Sequence, residues 1–150
     1  MTVVYTIGYQ GSDIDRFVAT LKAAGVRTLA DIRAIANSRK KGFSKSALQA
    51  RLATEGIGYV HLAELGNPKP GRDAAYAGRL DEYRKIYLAH LESETAQAAL
   101  RELSRIAEDA TTCLLCFERD PAACHRSIVA DRLAANGMER LDLDGSEPDS

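Results

Sequence analysis

The densest run of chemically capable side chains lies between Cys113 and Arg126, where Cys116, Glu118, Arg119, Asp120, Cys124 and His125 also fall. Asp120 followed by Pro121 predicts a helix start: Asp caps, and Pro fits the first position, where no amide donor is needed. Cys124, His125 and Arg126 then sit in or just past the first turn. Unpaired amides and the positive helix end favour an anion there, and a thiol in that field is easier to ionise. Glu118 leaves a buried strand and is the strongest candidate for acid/base or nucleophilic work. By the period of two it shares a strand face with Cys116.

Cys113, Cys116, Cys124 and His125 superficially resemble a zinc set. Residues three apart in a strand are separated by roughly 10 Å and face opposite sides, so Cys113 and Cys116 cannot share one ion. The same separation rules out a disulfide between them. No metal and no cofactor are therefore expected. An adjacent Cys124 and His125 on a helix point about 100° apart, so they need not pair.

A second group follows other strand-like runs. Tyr9 offers a ring for stacking, Asp31 a further carboxylate, and His61 an imidazole. Arg33, Ser38 and Arg39, followed by Lys40, Lys41 and Lys45, could bind an anion together with Arg119 and Arg126, since guanidinium forks match phosphate geometry. Structural alternatives stand beside each: Glu118 as a salt-bridge partner, His61 as a hydrogen-bonded core residue, the basic run as a solvated loop. His90 and the Tyr76, Tyr83 and Tyr87 set read as packing.

These residues need a scaffold that gathers them. Strands are predicted at Val3–Ile7, Thr28–Ile32, Tyr59–Leu62, Cys113–Phe117 and, last and short, Arg140–Leu143. Helical spacing follows a Ser12 or Asp13 cap and stops at Gly25; further helices are predicted over Lys45–Ala53, Leu80–Leu91, Thr95–Ala107 and Ala122–Ala135. The Pro- and Gly-rich passage Gly66–Asp73 reads as irregular, long enough for a lid. The pattern implies an α/β fold: three layers, a mostly parallel sheet of four or five strands, helices on both faces. In such a sheet the strand C-termini share one edge, where ligands bind. Residues after separate strands would meet there.

A chain of 150 residues, 45% hydrophobic and 27% charged, suits one domain, expected over 1–144 with a frayed acidic tail at 145–150. The net charge of −1 makes no general demand for a polyanion, so phosphate contact must be local. Three Cys do not make a disulfide framework, and neither a signal sequence nor a membrane span is visible. A cytoplasmic protein is expected.

Four segments carry a resemblance. They are Thr6-Ile7-Gly8-Tyr9, Asp31-Ile32-Arg33 with Ser38-Arg39, Tyr59 through Leu65-Gly66, and Cys116-x-Glu118-x-x-Pro121-x-x-Cys124-His125-Arg126. On these the chain resembles the domain-of-unknown-function family 488. Ala36 stands where members usually have proline, and Asn67 where a second glycine is common. The resemblance implies an α/β scaffold and one shared site, but no settled reaction. From the residues, the leading expectation is a metal-independent enzyme acting on a nucleotide or nucleic acid, hydrolytic or glycosyl-bond-cleaving. Asp31, Glu118, Cys124 and His125 would do the chemistry. Tyr9, Arg33, Ser38, Arg39, His61, Arg119 and Arg126 would bind substrate around an anion site at Asp120–Arg126. The alternatives are a thiol-dependent redox or transfer enzyme using Cys124, and a non-catalytic module for anionic ligands. Oligomeric state is not legible.

Overall fold

The computed structural model of the chain describes residues 2–121 and 124–146. Five strands form one all-parallel sheet: β1 (Val3–Gly8), β2 (Thr28–Asp31), β3 (Gly58–His61), β4 (Thr112–Cys116) and β5 (Glu139–Asp144), in the order β3-β2-β4-β1-β5. Among the described residues, six α-helices connect them: α1 (Ile14–Ala23), α2 (Lys45–Thr54), α3 (Lys69–Tyr76), α4 (Leu80–Leu91), α5 (Glu94–Asp109) and α6 (Arg126–Ala134).

Central β4 is buried along its whole length, as a parallel strand covered on both faces must be. Its alternation assigns the cysteines. Cys113 and Leu115 join Phe17, Leu21, Leu48 and Leu52 of α1 and α2 on one face; Leu114 packs with Tyr87, Leu103 and Leu133 on the other. Each fully buried leucine contributes about 1.5–3 kcal/mol relative to exposure. Asp13 caps α1 by accepting from the Arg16 amide, and Gly25, at φ +73°, takes the left-handed turn that ends it.

Two elements depart from the sequence expectation. The passage Gly66–Asp73 is not irregular throughout, because α3 begins inside it. Pro68 occupies the cap and Pro70 the first turn, positions where a proline's missing N–H costs nothing. Asp120 is not the cap of α6. Pro121 has 3₁₀ geometry, and α6 starts at Arg126 with His125 in the cap position. Of the tail expected at 145–150, residues 147–150 lie outside the described residues, as do 122 and 123 of the helix expected over Ala122–Ala135. Among the described residues, no helix is long and apolar enough to cross a membrane.

The strand order has a direct consequence. The connection leaving β2 runs outward to β3, while the one leaving β4 crosses β1 to β5 on the opposite face of the sheet. Adjacent strands whose connections diverge leave a crevice at their C-terminal ends, the usual ligand position in an open parallel sheet. Here that crevice lies beyond Asp31 and Cys116.

Candidate functional site at the ends of β2 and β4

Backbone pairing gathers the loops that follow the strands. The amides of Tyr9 and Gln10 donate to the carbonyls of Cys116 and Phe117, Ile32 donates to Leu115, and Leu62 to Asp31. The Arg119 amide donates to Gln10 Oε1. Tyr9, Arg33 and Glu118, remote in sequence, therefore stand around one cavity of about 400 Å³. Cys116, His125, Asn67 and Arg72 line it too.

The lip of this cavity is apolar. Of six large hydrophobic side chains exposed among the described residues, Ile35, Tyr76, Leu80 and Phe117 all line it. Tyr76, expected to pack, is 97% exposed, while Tyr83 and Tyr87 are buried. The exposed ring stands at the end of α3, the helix hidden in the proline-rich passage. A Cβ on Gly71 of α3 would overlap the Asn67 side chain, so glycine is what permits that close approach. Asn67 is itself buried, and its Oδ1 has no hydrogen-bond partner among the described residues.

Inside the cavity, Glu118, two residues past the end of β4, is half-buried, with Oε2 3.7 Å from Cys116 Sγ. Burial pushes its carboxyl above the usual range, and the nearby Arg126 charge offsets only part of this. Burial first, then the Glu118 charge, pushes the Tyr83 phenol up to about 12.

His125 and Cys124 precede α6 rather than ride on it, so the angular separation expected on a helix does not apply. Cys124 Sγ lies 3.7 Å from His125 Nδ1. The other ring nitrogen, Nε2, is 2.7 Å from the Ile32 carbonyl, which can only accept, so Nε2 carries the proton. Burial lowers the His125 pKa to about 4, which keeps the ring neutral. Cys116 and Cys124 are joined through their sulfurs, with Cα atoms 7.2 Å apart. Strand periodicity correctly separates Cys113 from Cys116, but sequence spacing gave no sign that Cys116 and Cys124 meet.

Several residues expected to bind or react are engaged within the protein. Asp31 is fully buried and holds Arg33 bidentately, with Arg33 Nε to Oδ1 at 2.9 Å and Nη2 to Oδ2 at 2.7 Å. Tyr59 donates to the same carboxylate, and Arg33 Nη1 donates to the Phe43 carbonyl. The Arg33 guanidinium lies 5.4 Å from the centre of the Tyr9 ring, which stacks on Phe43. Arg126 is wholly buried. Its Nε donates to Thr6 Oγ1, Nη1 to the Glu118 carbonyl and Cys116 Sγ, and Nη2 to the Arg119 carbonyl. Burial lowers the Arg126 pKa, partly offset by Asp142. This side chain fastens the loop after β4 to β1 and α6.

The remaining candidates lie away from the cavity. Ser38 bonds with Ser44 and the Lys40 amide, Arg39 is exposed, and Arg119 pairs with Asp144. His61 Nε2 is 2.7 Å from the Arg33 carbonyl.

Neither a curated protein nor a solved structure matches the chain. A family model described as "Domain of unknown function DUF488" matches residues 13–133, which span every loop around the cavity except that of Tyr9. The chain belongs to the DUF488 family.

Proposed function

We propose that the chain is an enzyme acting on a nucleotide or nucleic acid, which takes one base into the cavity between the ends of β2 and β4. The observation that carries this reading is the make-up of that cavity. Four exposed apolar side chains, two of them aromatic, surround an interior holding a carboxylate, a buried amide and a guanidinium. Flat bases are held by stacking on such rings and read by hydrogen bonds at their edges. Phe117 and Tyr76 supply the faces. Arg72 provides positive charge for an adjoining phosphate. The cavity volume falls within the ~300–1,000 Å³ usual for small-molecule sites.

In this reading Glu118 handles the proton as water adds across a bond to the base, in a hydrolytic or glycosyl-bond-cleaving reaction. Asp31 holds Arg33, and Arg33 steadies the Tyr9 ring; neither moves a proton. The test is incubation with nucleosides, nucleotides and short single-stranded oligonucleotides, with chromatography for released base, ammonia or phosphate. Product from at least one class, lost in Glu118→Gln at unchanged melting temperature, supports the proposal. Binding without any product would make the chain a ligand-binding module, and neither binding nor product would refute the reading outright.

One observation favours a second reading, a thiol-dependent redox or transfer enzyme: the sulfurs of Cys116 and Cys124 are joined. Reduction of a disulfide substrate that survives Cys124→Ser would eliminate it.

A further inference from the structure

We propose that Cys116, Cys124 and His125, in the reduced protein, bind a single divalent transition-metal ion of the zinc class, with one coordination position open to the cavity. Their ligand atoms lie within 4.8 Å of one another, and all three residues are buried. Two thiolates and an imidazole form a donor set that suits zinc.

The His125 geometry is that of a metal ligand. Because Nε2–H is committed to the Ile32 carbonyl, the lone pair sits on Nδ1, on the side of Cys124. A backbone carbonyl holding the distal N–H is the usual way a liganding histidine is oriented. The observed Cys124 Sγ to His125 Nδ1 distance is 3.7 Å. With bonds of about 2.3 Å to sulfur and 2.0–2.1 Å to nitrogen, the corresponding edge of a tetrahedron is about 3.6 Å.

Arg126 also brings a donor to each sulfur. Arg126 Nη1 points at Cys116 Sγ from 3.4 Å, and the Arg126 amide at Cys124 Sγ from 3.5 Å. Cys116 and Cys124 have Cα atoms 7.2 Å apart. That exceeds the usual span of roughly 4.4–6.8 Å for a disulfide and leaves room for two sulfurs on one ion, about 3.8 Å apart. Ion and disulfide exclude each other, so the metal belongs to the reduced pair.

Cys116 and His125 line the cavity, and Glu118 stands beside Cys116. Three protein ligands and an open position are the mark of a zinc site that holds water or substrate rather than a closed structural one. Cys113 faces the opposite core and takes no part.

The proposal does not depend on the ligand class suggested for the cavity, and its test contains no nucleotide. Protein reduced with a phosphine is titrated with Co²⁺ without chelator, and absorption is followed. The expected result is saturation at a single ion per chain. Thiolate-to-cobalt charge transfer and intense visible bands of tetrahedral cobalt should appear, then be bleached by Zn²⁺. Cys116→Ser and Cys124→Ser lose the spectrum, and Cys113→Ser keeps it. A spectrum unchanged in Cys116→Ser overturns the proposal, as does fully reduced wild type that takes up no cobalt. If the serine variants do not fold, the wild type decides through alkylation read by mass spectrometry. Bound Zn²⁺ must protect Cys116 and Cys124, and equal labelling with and without it refutes the site.

Discussion

Replacing Arg126 with methionine tests whether this guanidinium belongs to the framework or to a ligand. The side chain is wholly buried and donates to two backbone carbonyls, one hydroxyl and one sulfur. Methionine fills similar volume but leaves the carbonyls of Glu118 and Arg119 without this donor. An unsatisfied buried acceptor costs about 1–3 kcal/mol, so leaving both carbonyls unpaired costs about 2–6 kcal/mol. For a domain of this length each kcal/mol moves the melting temperature by roughly 2–4 °C, so a fall of about 4–24 °C is expected. Arg126→Lys retains the charge without the fork and should fall only part of the way back. Circular dichroism melts of the three proteins, with urea unfolding as a check, provide the measurement. A methionine variant melting within about 2 °C of wild type would refute the reasoning. It would restore the reading of Arg126 as an anion ligand.

Three further outcomes are expected. Asp31→Asn strips the buried Arg33 of its carboxylate and should cost about 3–5 kcal/mol in urea unfolding, with Tyr9 fluorescence altered. Tyr87→Phe removes only the bond from the buried hydroxyl to the Leu65 carbonyl and should cost about 1 kcal/mol. Burial alone would raise the Asp142 pKa, but hydrogen bonds from Arg140 and Thr6 hold it below its ordinary 3.8. Since the unfolded chain takes up that proton first, the stability conferred by the ionised group is complete above about pH 5 and is lost as pH falls through the folded value. Urea midpoints measured downward from about pH 5 should therefore drop less steeply in Arg140→Ala than in wild type.

Much of the scaffold can be read from residue order because its signals are local. Val3–Gly8 and Thr112–Cys116 announce themselves by continuous apolar runs, and parallel strands then oblige Tyr9, Arg33 and Glu118 to share an edge. What was not legible is tertiary. Pro68 and Pro70 look like breakers until they are seen at a helix start. Asp120-Pro121 looks like a cap, but regular helix waits until Arg126, whose guanidinium reaches back to the Glu118 and Arg119 carbonyls. Spacing reveals an arginine but not the acceptors around it, so Arg33 and Arg126 read as phosphate ligands while the fold turns both inward. The apolar lip was missed for the opposite reason. Ile35, Tyr76, Leu80 and Phe117 sit in separate segments, and a hydrophobic residue in isolation gives no hint that it stays exposed.

The proposed function requires ligand to enter between the ends of β2 and β4. The most direct measurement is an amide NMR titration of isotope-labelled protein with a mononucleotide panel, repeated on Tyr76→Ser, whose exposed position leaves the fold intact. Saturable shifts are expected to concentrate at residues 33–37, 67–80 and 116–118 and to weaken in the variant. Shifts confined to Arg39–Lys45 or to Arg119 and Asp144, with the cavity undisturbed, would contradict it.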